Sequence, residues 1–290
     1  MNIRLLSFAA LLGLTISGCA STLTKEEIAN ASSQCKSLYN NKNYTEAYPL
    51  CEKACAYDDS VGCIEMGLLY AYGYGVKLDY SQTAEYFRKA CNLNDGLGCF
   101  NIGISYDQGK GVIQDFQQAN LYYRKACDLN EGSGCFNLGN LYYKGRSVKQ
   151  DYQQAYQYYR KACDLNEGSG CFNLGILYDQ GKGVIQDFQQ ANQYFKKACE
   201  LGDSGGCNSL GFSYNKGHGA RQDFQQAMNY YQKACDLKNG MGCSNIGALY
   251  YNGEGVKQNK NTSKWYYGKA CDFGYQEGCD EYRKLNEKGY

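Results

Sequence analysis

The chain has 290 residues, 43% of them apolar, and a formal net charge of +1. It can therefore build a core, but it offers no electrostatic argument for nucleic acid or an anionic membrane surface as partner. It contains 17 cysteines, which in a reducing compartment would need metal or redox partners and in an oxidising one read as a disulfide framework.

The N-terminus points to the second case. Arg4 gives a positive start, and Leu5 to Ile16 is an apolar run too short to span a bilayer. Ile16-Ser17-Gly18-Cys19 resembles the bacterial lipobox. That resemblance implies a signal peptide over residues 1–18, cleavage before Cys19 and lipidation of that residue. Ala20, rather than Asp, leans towards an outer-membrane lipoprotein facing the periplasm or the cell surface; the alternative is an ordinary signal peptide and a secreted protein. Residues 19–33 are then the lipidated N-terminus and tether. Setting Cys19 aside leaves sixteen of the 17 cysteines, an even number that can pair completely.

From residue 34 to residue 290 the chain is periodic. Cysteine pairs fall at 55 and 63, 91 and 99, 127 and 135, 163 and 171, 199 and 207, 235 and 243, and 271 and 279. Each pair is eight residues apart and follows the last by 36, the signature of a repeat array of about seven units. CDLNEGSGCFNLG occurs verbatim at 127–139 and 163–175, as recent internal duplication produces. The unit beginning at Cys135 reads as two helices. Leu138, Leu141 and Tyr142 lie at helical spacing, and Gly145 ends the first helix. Asp151 opens the second, with Gln154 placed for a capping box. Ala155, Tyr159 and Ala162 form one apolar stripe, and the small residues Gly139, Ala155 and Ala162 allow helix backbones to approach closely. The Tyr158-Tyr159 type of pair reads as mostly core. Such short helices are marginal alone, so stacking must stabilise them.

Asn-Glu-Gly-Ser-Gly between Cys127 and Cys135 reads as a turn, so a disulfide there staples two antiparallel helices. The expected bonds are Cys55–Cys63, Cys91–Cys99, Cys127–Cys135, Cys163–Cys171, Cys199–Cys207, Cys235–Cys243 and Cys271–Cys279. Cys35 and Cys51, in place of a core leucine and a core tyrosine, are expected to form an eighth bond that locks the first unit. The C-terminal DEYRKLNEKGY is polar and suits a cap on the stack.

The pattern A-C-D-L-N-x-G-x-G-C-x-N-L-G-x-L-Y-x-x-G-x-G-V, then D-x-x-x-A-x-x-Y-Y-x-K-A-C, is similar to Sel1-like repeats, a subgroup of tetratricopeptide-like αα-repeats. The C-x7-C staple resembles that of the Helicobacter cysteine-rich proteins. The resemblance implies an all-α, right-handed superhelical solenoid whose concave face is lined by first helices. It also raises an enzymatic alternative, because some members of that family have been described as penicillin-binding proteins or slow β-lactamases. Two S-x-x-K matches exist, Ser33/Lys36 and Ser213/Lys216, but neither comes with a K-T-G element. β-Lactam or peptidoglycan fragments would be the ligands of that alternative; a secreted effector acting on host cells is a second one.

Metal and cofactor chemistry have little support, since His218 is the only histidine, sixteen paired cysteines leave no thiolate, and no cofactor motif is present. The stronger reading is binding of a protein or peptide along the first helices. Asn101, Asn137, Asn173 and Asn245 recur two residues after the staple cysteine, with Glu65, Ser209 and Glu281 in other units. Three residues further come variable side chains, among them Ile104, Asn140, Ile176 and Phe212, and a turn later Gln108, Lys144, Gln180 and Lys216. Amides in a row can hydrogen-bond an extended peptide backbone, and the variable rows would set specificity. The same asparagines could instead bond neighbouring helices.

Overall fold

The computed structural model describes residues 23–290. The expected signal peptide and the lipidation site Cys19 lie outside these residues. Among the described residues there are fifteen helices and no strand. The first three are α1 (Lys25–Asn40), α2 (Tyr44–Ala56) and α3 (Ser60–Tyr72), followed by α4 (Tyr80–Asn92), α5 (Gly96–Gln108) and α6 (Phe116–Asp128). The middle of the stack is α7 (Gly132–Lys144), α8 (Tyr152–Asp164), α9 (Gly168–Gln180) and α10 (Phe188–Glu200). It ends with α11 (Ser204–Lys216), α12 (Phe224–Asp236), α13 (Gly240–Asn252), α14 (Lys260–Asp272) and the unpaired α15 (Gln276–Glu287). No described helix is long and apolar enough to cross a membrane.

The helices start and stop where local chemistry dictates. Gly145 takes φ 68° after α7, and glycines at 73, 109, 181, 217 and 253 do the same after the equivalent helices. Asp151 accepts from the backbone N–H groups of Gln153 and Gln154, and Asp79, Asp115, Asp187 and Asp223 repeat this cap. The expected return bond from Gln154 is not made. Among the described residues the reciprocal box forms only at α1, between Thr24 and Glu27. Gln150 closes the inter-helix loop instead, donating its amide to the Tyr143 carbonyl at 2.9 Å. α1 begins at Lys25, so residues 25–33, expected as tether, are the first turns of a helix.

All eight disulfides join neighbours in sequence. Cys35–Cys51 ties α1 to α2. The other seven, from Cys55–Cys63 to Cys271–Cys279, each tie an even-numbered helix to the odd-numbered helix after it. The turn they close is shorter than Asn-Glu-Gly-Ser-Gly. After α6 it is only Leu129, Asn130 and Glu131, with Asn130 at φ 63°, and Gly132 is already helical.

The glycines of that segment therefore serve packing rather than turning. A Cβ on Gly134 would lie 2.6 Å from Ala126 Cβ and 3.0 Å from the Cys127 backbone N, so the two helices touch backbone to side-chain stub beside the staple. Gly170 meets Ala162 and the Cys163 N in the same way. Gly139 has a different role from the one expected of it. Its missing Cβ is the seat of the Tyr159 ring, whose Cδ1 would be 2.6 Å away, and Tyr159 is 1% exposed. Tyr158, by contrast, is half-buried and stacks on Tyr142 with ring centroids 5.5 Å apart.

Beyond adjacent helices, the substantial contacts are between odd-numbered ones: α1 with α3, α3 with α5, and so on to α15. Successive even-numbered helices stand farther apart, so the stack bends with the odd-numbered helices on its inner side. α15 ends the array with Leu285 buried beneath it and an otherwise exposed last turn.

The junction packing makes a clear expectation. Gly170→Ala should lower unfolding free energy by about 1–3 kcal/mol, because overpacking a tight contact costs that much. Gly202→Ala, where an added Cβ meets nothing within 4 Å but φ is 85°, should cost only the left-handed strain of roughly 1–2 kcal/mol. Chemical denaturation of the oxidised proteins measures both.

Candidate functional site: the inner helix face

The inner face is built from positions two, five and nine residues after each staple cysteine, because the helical period brings them to one side. The structure places the expected residues there in three distinct environments. Asn101 lines a cavity of about 290 Å³ with Leu68, Tyr72, Phe87 and Ile104, between α3 and α5. Asn137, Asn140 and Lys144 share a cavity of about 170 Å³ with Arg146 and Asp107. Phe212, with Ile176, Phe188 and His218, lines a cavity of about 330 Å³ between α9 and α11.

Asn173 and Asn245 behave otherwise. Asn173 Nδ2 donates to Asn140 Oδ1 at 3.4 Å, and Tyr159 Oη donates to the same oxygen at 2.8 Å. Asn245 Nδ2 donates to Asn208 Oδ1 at 2.9 Å. These amides tie one repeat to the next, so the asparagine row is not a uniform line of free groups. The variable rows supply the exposed chemistry: Phe212 is 44% exposed, and Lys144 and Lys216 reach solvent.

A feature the sequence reading missed sits at the rim. In five units the residue that follows the helix-ending glycine lies over or beside the aromatic residue that opens the preceding even-numbered helix. Lys110 lies over Tyr80 at 5.7 Å, Arg146 over Phe116 at 3.8 Å and Lys182 over Tyr152 at 5.6 Å. Tyr74 stacks on Tyr44 at 4.3 Å and His218 lies 5.5 Å from Phe188. The sequence carries this as a cationic or aromatic residue after the helix-ending glycine and an aromatic residue at the start of each even-numbered helix from α2 to α10, but the partner lies in the preceding unit. Arg146 also pairs with Asp107 at 3.6 Å. His218 is an exposed loop residue whose ring also lines the rim of the third cavity.

The two S-x-x-K pairs lie in different environments. Ser33 and Lys36 are both exposed on α1, with no hydrogen bond between them. Ser213 is buried in helix packing at 5% exposure, while Lys216 points to solvent. Neither lysine hydrogen-bonds its serine hydroxyl among the described residues.

Glu65 occupies the asparagine position of α3. It is 7% exposed, and one carboxylate oxygen is buried without a hydrogen-bond partner. Burial raises its pKa, and the Lys36 charge offsets this in part.

Six consecutive segments match the Sel1 repeat: residues 60–95, 96–131, 132–167, 168–203, 204–239 and 240–275. The chain belongs to the Sel1 repeat family. Repeats of this family typically mediate protein–protein interaction. A Sel1 repeat protein from Oxalobacter formigenes is 26% identical, with 83% of this chain and 96% of that chain covered and a TM-score of 0.75. The protective antigen c5321 of uropathogenic Escherichia coli, described as displaying an SLR fold, is 24% identical. It covers 93% of this chain and 60% of its own length at a TM-score of 0.75, which shows the shared fold. Helicobacter pylori cysteine rich protein B is 42% identical over 47% of this Sel1 chain and 97% of its own, with a TM-score of 0.39. A search of curated proteins finds no match.

Glu65 gives the pH-dependent expectation. Its folded-state pKa lies above the unfolded one, so its contribution to stability is complete at acid pH and is lost as pH rises through the folded value. Glu65→Gln should therefore stabilise the protein at pH 7 by about 1 kcal/mol, the scale of an unsatisfied buried group. The gain should shrink as pH falls towards the ordinary carboxylate range, which denaturant melts at stepped pH will read.

Proposed function

We propose that this Sel1 protein is an exported, lipid-anchored adaptor of the cell envelope that binds a protein partner, through an extended segment, on its inner helix face. The observation that supports this most is the inner face itself. Three cavities line the odd-numbered helices, and the residues that vary between otherwise near-identical repeats are the ones that open into them. A repeat array built only for its own stability would have no reason to diversify there. Eight disulfides suit an extracytoplasmic, oxidising compartment. The Ile16-Ser17-Gly18-Cys19 sequence suits anchoring to the outer membrane through lipid on Cys19, facing the periplasm or the surface.

A photo-crosslinking residue placed at Lys144 or Phe212 tests the face, with Arg160 and Lys196 on the even-numbered helices as controls. Adducts to a discrete protein from the inner positions alone are expected. Adducts from the outer positions alone would overturn the proposal. Cys19→Ala should release the protein from the membrane fraction and abolish fatty-acid labelling; a labelled, membrane-bound variant would contradict the anchor.

A further inference from the structure

The three inner-face cavities differ in chemistry, and their order along the stack is fixed. The first, between α3 and α5, is apolar and aromatic: Leu68, Tyr72, Phe87 and Ile104. The second, one inner helix on, is polar and basic: Asn137, Asn140, Lys144 and Arg146, with only Asp107 opposing. The third, between α9 and α11, is an aromatic seat of Phe188, Phe212 and His218 over Ile176. Asp179 lies at its edge and disfavours a second acid there. Between the second and third cavities Asn173 and Tyr159 both donate to Asn140 Oδ1, so that amide oxygen is already engaged.

Charge argues for the same occupant. Lys110, Lys144, Arg146, Lys182 and Lys216 lie along the inner face and its rim from α5 to α11, against Asp107 and Asp179. Arg146 already pairs with Asp107 at 3.6 Å, and among the described residues the Lys144 ammonium of the middle cavity has no ion-pair partner. A carboxylate on the partner would complete that site, and the neighbouring asparagine amides can orient it.

Spacing turns this into a sequence pattern. Packed helices lie about 8–10 Å apart and an extended peptide advances about 3.3 Å per residue. Resting on the groove-binding proposal above, we infer that the inner face recognises one class of extended peptide. It carries a large apolar side chain, an acidic residue about three positions from it, and an aromatic residue about six positions beyond the acid.

The test is a random dodecapeptide display library panned on the oxidised, full chain, read by sequencing. Panning is repeated on Lys144→Glu and Phe212→Ala, both exposed positions whose fold is checked by circular dichroism. The expected consensus has the acid between the two apolar anchors at this spacing, in one chain direction. Lys144→Glu should invert the central preference to Lys or Arg, and Phe212→Ala should abolish enrichment at the distant aromatic alone. Synthetic peptides should lose about tenfold in affinity on replacement of either anchor by Ala, or on a one-residue change of spacing. A consensus without a central acid, or one unchanged in both variants, overturns the pattern. If such a consensus still crosslinks to position 144 or 212, groove binding survives while this pattern fails. Enrichment that crosslinks only to even-numbered helices overturns both.

Discussion

Everything in the array depends on one contact, the seating of a Gly-Cys step on an Ala-Cys step at each repeat junction. Gly134 leaves room for Ala126 and the backbone at Cys127, and the Cys127–Cys135 bond closes beside them. The same arrangement recurs at Gly62, Gly98, Gly170, Gly206, Gly242 and Gly278. Glycine permits the approach, alanine fills it, and the disulfide restricts the unfolded chain, contributing roughly 2–3 kcal/mol per short loop in the chain-entropy view. In a quasi-one-dimensional protein each unit is stabilised mainly by its neighbours, so the junction matters more than any single core. Lys89 and Lys125 add a second tie, donating to the carbonyls of Cys55 and Cys91 at 2.6 and 2.8 Å.

The bend of the stack follows from where these junctions sit. They hold each even-numbered helix to the next odd-numbered one, while the odd-numbered helices also touch each other. The framework is held at these junctions, while exposed inner side chains such as Lys144 and Phe212 lie outside them. Duplication copied the framework; substitution at the inner positions, such as Asn140, Ile176 and Phe212 in successive repeats, then differentiated the cavities. Binding specificity in such a protein is a matter of order along the array rather than of one deep pocket.

Much of this was legible in the sequence because the 36-residue step repeats its own controls. The cysteine pairing, the Gly145-type helix ends, the Asp151-type caps and the burial of Tyr159 all follow from spacing. What the sequence obscured was anything decided between units. Gly139 reads as a close-approach glycine, yet it receives a tyrosine ring from the partner helix. Gly134, read as part of a turn, is the residue at which helices actually meet. The asparagine row looks uniform, but Asn173 and Asn245 are engaged by neighbouring repeats while Asn101 and Asn137 open into cavities. The rim pairing of Arg146 with Phe116 spans 30 positions and has no local signature.

The most direct measurement of the central claim is disulfide mapping by mass spectrometry on the protein purified under non-reducing conditions with free thiols blocked. The account predicts Cys35–Cys51 and seven bonds between cysteines eight residues apart, with no blocked thiol at any of these sixteen positions. Free thiols at the junctions, or bonds linking cysteines of non-adjacent repeats, would contradict it.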